Sequence, residues 1–131
     1  MARRQRQMCI RDSWRFKTPE IAVESANHIY GMFLDYRDEG DFIGMDMCRK
    51  FLEMGFTRAR RYANHNSGRK YKKGTKEVLP QEADHETSKY AEAARTFKKV
   101  RDIVAKSDVY VKMRKESVSY THLTLPTSHL V

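Results

Sequence analysis

Apolar residues through the middle of this chain return every three or four positions, and that spacing restricts the fold more than any other feature. Thr18-Pro19-Glu20-Ile21 is a helix start, with Thr as N-cap, Pro at the first helical position and Glu in the first turn. Ala22, Ser25, Ala26, Ile29, Met32, Phe33 and Tyr36 then recur at helical spacing, which predicts a helix over Pro19–Tyr36. Gly31 inside it costs about 1 kcal/mol against Ala, so close packing is expected there. After the charged turn Arg37–Asp41, Asp41 caps a second helix, Phe42–Met54, and Gly55 occupies its C-cap position. Ile43, Met47, Phe51 and Met54 share a stripe. Thr57 caps a short third helix, Arg58–His65. Its alanines, Ala59 and Ala63, share one side with Tyr62, while Arg58, Arg61 and His65 share another. Lys72–Glu82, with two breakers and little apolar content, reads as an irregular loop. Asp84–Ser88 opens a fourth helix to about Lys106, striped by Tyr90, Ala93, Ala94, Phe97, Val100 and Val104. Ser107-Asp108 caps a last helix, Val109–Lys115. The expected fold is mainly α, a small single domain of four to five helices.

Both ends of the chain look foreign to that domain. Arg3–Ser13 (RRQRQMCIRDS) and Ser117–Thr127 (SVSYTHLTLPT) back-translate to complementary strands of one short DNA. That DNA resembles the transposase adaptor ligated onto sequencing libraries. Segments 1–13 and 117–131 are therefore expected to be adaptor-derived and disordered. Segment 14–116 is the domain, a fragment truncated at its N-terminal side. The competing view is a basic N-terminal arm and a short C-terminal strand, SVSYTHLTL. Trp14-Arg15-Phe16-Lys17 reads as an extended lead-in. An irregular basic loop is expected at about 66–83.

The 131-residue chain carries a formal charge of +9, of which Arg3–Ser13 supplies +3 through four arginines and one aspartate. The remaining charge is local. From Arg49 to Lys76 there are ten Lys or Arg and one acid, Glu53, whereas the rest of 14–116 is slightly acidic. Within that stretch Gly55–Tyr71 (GFTRARRYANHNSGRKY) combines arginines with Tyr, Asn, His and a glycine turn. Arginine makes bidentate phosphate contacts, and tyrosine stacks or offers a hydroxyl. The candidate ligand- or phosphate-binding residues are Arg58, Arg60, Arg61, Tyr62, Asn64, His65, Arg69, Lys70 and Tyr71. The bland alternative is a solvated basic face with a loose loop.

Other patterns are weaker. Gly68 to Lys76 lacks a lysine directly after its second glycine, and no hydrophobic strand precedes it, so it is not a P-loop. His28, His65 and His85 are widely spaced without a paired Cys or His, which speaks against a zinc site. Asp35, Asp38, Glu39, Asp41 and Asp46 lack calcium-loop spacing and suit helix capping or arginine pairing. Met45, Met47 and Met54 read as core filler. Cys48, the one thiol of 14–116, reads as a small buried hydrophobe in a reducing, cytoplasmic setting. No apolar run approaches the ~20 residues of a membrane helix. No pattern assigns a cofactor or an oligomeric state.

WRFKTPEIA (Trp14–Ala22), DFIGMDMCRKFLEMGFTRARRYANH (Asp41–His65) and SGRKY (Ser67–Tyr71) resemble the family catalogued as domain of unknown function 4385. The resemblance implies that a glycine-rich N-terminal part is missing and that the 55–71 stretch is a family hallmark. It supplies no activity or cofactor. Three functions stay open: a basic helical module for nucleic acid or a phosphorylated ligand, an enzyme on a phosphorylated small molecule with His65 as acid or base, and a structural domain. In the third, the arginines would be paired internally with Asp35, Asp38, Asp41 or Asp46.

Overall fold

The computed structural model describes residues 3–65, 71–72 and 74–124. Five helices account for most of them: α1 (Arg3–Ser13), α2 (Pro19–Glu39), α3 (Phe42–Asn64), α4 (Lys89–Ala105) and α5 (Asp108–Thr124). The only β pairing among the described residues is an isolated bridge between Tyr71 and Val78. The fold is mainly α, as the periodicity predicts.

Caps fall where the short polar residues place them. Thr18 Oγ1 accepts from Ile21 N at 3.1 Å, and Asp41 Oδ1 accepts from Gly44 N at 3.1 Å. Ser88 Oγ accepts from Ala91 N at 3.2 Å. Each satisfies an amide that a helix start leaves without a carbonyl. Gly40, at φ 70°, ends α2 in the left-handed region, where a Cβ would be strained. Its N–H donates to Arg37 O, and that of Asp41 to Tyr36 O. α2 thus runs a turn past the expected Tyr36.

The largest departure is α3. Two helices are expected, broken at Gly55, yet one helix of 23 residues runs through it. Gly55 ends nothing; it makes room. A Cβ there would lie 2.6 Å from the Phe97 ring of α4. Thr57 likewise caps no new helix, since its hydroxyl donates to Glu53 O one turn back, at 3.0 Å. Gly55, Ala59 and Ala63 are all buried. α3 packs more extensively on α4 than any other two helices do, and Ala91, Ala93 and Ala94 of α4 are buried as well. Gly44 does for Tyr36 what Gly55 does for Phe97, its missing Cβ leaving space for the ring. Gly31, by contrast, has nothing within 4 Å of its would-be Cβ, so the expected close approach does not occur there.

The core of α2, α3 and α4 centres on Ile29, Phe33, Met45, Cys48, Leu52, Phe97 and Val104, with Tyr110 of α5 closing one end. Burial pushes the Cys48 thiol up to about 12, with Asp41 adding to the shift. The lead-in Trp14–Lys17 is non-helical, as expected, and is pinned by one hydroxyl. Ser25 Oγ accepts from Arg15 N at 2.9 Å and donates to Ser13 O at 2.6 Å.

Residues 3–13 are helical where a disordered arm is expected. Ile10 is fully buried in the core, and Arg6 Nε donates to Asp41 Oδ2 at 2.7 Å. Burial works against the Asp41 carboxylate, but the hydrogen bonds from Arg6 and Gly44 outweigh it and hold its pKa below the ordinary value. The expected disorder assigns these residues no partner, while α2 and α3 present an apolar seat for Ile10. α5 also continues past Lys115 to Thr124, and residues 125–131 lie outside those described.

This packing sets the sign of three substitutions. Helix propensity alone makes Gly55→Ala favourable by about 1 kcal/mol, whereas overpacking Phe97 costs about 1–3 kcal/mol. Urea unfolding is expected to show a net loss for Gly55→Ala and a gain for Gly31→Ala; a gain at both positions would mean that Phe97 yields freely. Ile10→Ala is expected to cost about 2–5 kcal/mol as a buried aliphatic truncation. An unchanged unfolding midpoint would mean that Ile10 contributes nothing to the core.

Candidate functional site

The end of α3 and the loop folded against it form a cleft of about 400 Å³, lined by Thr57, Arg60, Arg61, Asn64, His65, Val78, Leu79 and Gln81. Four of the nine expected residues meet here: Arg60, Arg61, Asn64 and His65. Their partners differ in kind from those expected, because three of the four hold the chain's own loop. Arg60 Nη2 donates to His85 O at 2.6 Å and to Asn64 Oδ1 at 2.9 Å. The Asn64 carbonyl accepts from Glu82 N at 2.7 Å, so the loop satisfies an orphan acceptor at the helix end. His65 is buried, with Nδ1 3.2 Å from Pro80 O. A carbonyl partner places the proton on Nδ1 and leaves Nε2 with the lone pair. The loop expected to be irregular is so throughout its described part, but it is anchored at Pro80, Glu82 and His85.

The side chain of Arg61 is exposed and makes no ion pair or hydrogen bond among the described residues. Arg58 is exposed too, but it does not face the same way as expected. Its guanidinium lies 5.4 Å from the Trp14 ring centroid, and it lines a separate cleft of about 380 Å³ with residues of α1 and α3. A step of three residues on a helix of 3.6 per turn leaves a difference of roughly 60°, enough to divide the two arginines between clefts. Tyr62 is not free for stacking on a ligand with both faces. Its ring is 5.4 Å from that of Tyr90 and 6.3 Å from that of Phe16. Tyr71 is half-exposed at the bridge to Val78. Arg69 and Lys70 lie outside the described residues.

Internal pairing of these arginines with Asp35, Asp38, Asp41 or Asp46 is corrected for the three that are described. None of Arg58, Arg60 and Arg61 has a carboxylate partner among the described residues. The aspartates are engaged elsewhere: Asp38 with Arg37, Asp41 with Arg6, and Asp46 with Arg49 and Tyr110. The physical reason is helical position, since the acids sit on α2 and the first turns of α3, well short of Arg58. Asp46 Oδ1 receives the Tyr110 hydroxyl at 2.6 Å and Arg49 Nε at 3.0 Å. Burial would raise its pKa, yet those two hydrogen bonds hold it below the ordinary carboxylate range. Glu53 is shared by Arg49 at 2.7 Å and Arg101 at 3.4 Å, tying α3 to α4.

Sequence reasoning misses Thr57, Val78, Leu79 and Gln81 as cleft walls. Val78-Leu79 is the apolar pair within Lys72–Glu82 and is the available sign that this loop packs down. Among the described residues no group of three His, Cys, Asp or Glu converges to hold a metal ion, and no helix is long and apolar enough to cross a membrane.

A family model described as Domain of unknown function (DUF4385) matches residues 5–119, and the chain belongs to that family. The matched span takes in most of α1 as well as the whole of 14–116. No curated protein and no solved structure matches.

Arg60→Ala removes both anchors that this side chain provides. Stability is expected to fall by about 1–3 kcal/mol, the range for losing charge-assisted hydrogen bonds. Amide exchange at 81–88 should accelerate while that of α2 stays slow; unchanged exchange in this loop would show that Asn64 and His65 hold it alone.

Proposed function

We propose that this DUF4385 chain binds a phosphate-rich partner, nucleic acid foremost, at the C-terminal end of α3 and the loop packed on it. One observation carries the reading: Arg61 stands exposed in that cleft and Arg58 one turn back, on the side of the neighbouring cleft, and no carboxylate among the described residues answers either. Arg6, Arg37, Arg49 and Arg101 are matched by acids, while Arg3, Arg11, Arg15 and Arg95 are exposed without one among the described residues; what sets Arg58 and Arg61 apart is their place in the basic stretch from Arg49 to Lys76. An unmatched guanidinium keeps its donors for a phosphate, in the fork geometry that arginine offers. Arg60, Asn64 and His65 serve this site by fixing the loop beside Arg61. Tyr62 and Tyr71, each partly exposed, add ring surface at its edge. The sequence extends the same charge through Arg69, Lys70, Lys72, Lys73 and Lys76. The competing role for Arg61 is to offset the negative end of the α3 dipole, which any cation in a last turn does to some degree.

A second reading draws on His65. With Nδ1 tied to Pro80, its Nε2 is an oriented base in a cleft that also holds Arg60 and Arg61. That arrangement suits proton transfer on a phosphorylated small molecule.

Fluorescence polarisation with labelled single- and double-stranded DNA and RNA, repeated across salt concentrations, tests the first reading. Affinity is expected to fall steeply with salt. Arg58→Ala/Arg61→Ala should reduce the salt slope by roughly one for each phosphate that the two guanidinium groups neutralise. Binding that ignores salt, or that survives the double substitution intact, overturns it. A thermal shift with one nucleotide or sugar phosphate, abolished in His65→Gln, would favour the second reading.

A further inference from the structure

The second cleft, about 380 Å³ between α1 and α3, has a composition unlike the first. Its floor is apolar, built from Trp14, Met47 and Phe51, the last two buried. Its rim is cationic: Lys50 and Arg58 rise from α3, and Arg3 and Arg11 from α1. None of these four is in an ion pair among the described residues. The one acid on the wall, Asp46, already has its carboxylate engaged by Tyr110 and Arg49. Lys50, Met54 and Arg58 follow one another at four-residue steps, so a single side of α3 carries charge, apolar surface and charge again.

Trp14 adds a second observation. Its Nε1 is buried and has no hydrogen-bond partner among the described residues. A buried indole N–H ordinarily has one.

We propose that this cleft binds a small amphiphilic anion: an apolar body against Trp14, Met47 and Phe51, with one oxyanion headgroup held by Lys50 and Arg58. The volume lies at the lower end of the roughly 300–1,000 Å³ typical of ligand pockets. A polymeric backbone gains nothing from an apolar floor of this size, whereas an acyl or aryl anion uses both floor and rim. The headgroup is a carboxylate or a phosphate monoester. Both offer the paired oxygens that a guanidinium binds. The proposal does not rest on the nucleic-acid reading, and the two share Arg58 alone. Its central residues, Trp14, Lys50 and Arg58, all fall within 14–116.

Trp14 is the only tryptophan of the chain, so the site carries its own reporter. The full chain is titrated with decanoate and with decyl phosphate below their aggregation limits, following intrinsic fluorescence. Inorganic phosphate and decanol serve as controls for headgroup and tail. A saturable change with one or both anions is expected, with neither control matching it; the stronger of the two identifies the headgroup. Lys50→Gln should weaken binding about tenfold, the effect of removing one charge-assisted hydrogen bond. This side chain is exposed and makes no ion pair or hydrogen bond among the described residues, acting on the Asp46 carboxylate only through space, so the variant should unfold close to the wild-type midpoint. It should also leave nucleic-acid affinity at the α3 end intact, while Arg61→Ala does the reverse. Decanol binding as well as decanoate would reduce the cleft to an apolar patch and overturn the proposal. So would a flat titration with both anions, or Lys50→Gln binding like the wild type.

Discussion

The contact on which the rest of the structure depends is the approach of α4 to α3 at Gly55. Phe97 occupies the volume that any side chain at position 55 would fill. Ala59 and Ala63, each one turn further along, keep the same face low. This places α4 against the whole C-terminal half of α3 and fixes where the chain between them must pass. The loop before Ser88 is thereby held within reach of Asn64, His65 and Arg60, and the first cleft follows from that constraint. Small residues here are therefore the cause of a cleft lined by large polar ones.

Charge is arranged around the same helix. Asp46 and Glu53, on the first half of α3, collect Tyr110, Arg49 and Arg101 and so fasten α5 and α4 to it. Acids and bases cancel along that half. Beyond Glu53 there is no acid on α3, while Arg58, Arg60 and Arg61 follow in quick succession. The helix thus divides into a neutralised half that holds the bundle together and a cationic half whose donors point to carbonyls, rings or solvent.

Much of this is legible in the sequence, and the failures have identifiable causes. Thr18, Asp41 and Ser88 announce their caps because capping is a local interaction, complete within four residues. The stripes of α2 and α4 are legible because burial repeats with the helical period. Gly55 misleads because a glycine that stops a helix and a glycine that admits a ring look alike until Phe97, more than forty residues away, is in place. Arg60 and His65 do stand out as recognition residues. What they recognise is the backbone at His85 and Pro80, and carbonyl partners leave no trace in a sequence. Ile10 is discounted by an argument about coding DNA, which has no bearing on whether an isoleucine finds an apolar seat. Arg58 and Arg61 share a side under coarse phasing, which does not weigh the pull of Trp14 on one of them.

The unbroken course of α3 has a further consequence. A helix of 23 residues spans roughly 35 Å and bends little over one turn, so the backbone spacing of Arg58 and Arg61 is fixed while their side chains turn separately. Whatever occupies one cleft therefore cannot signal to the other by a hinge. Arg58 serves both proposed sites, so coupling between them runs through that side chain: a ligand that takes its guanidinium in one place withdraws it from the other. Such linkage is reciprocal by thermodynamic necessity. It would weaken with ionic strength, and the two ligands would compete for one guanidinium.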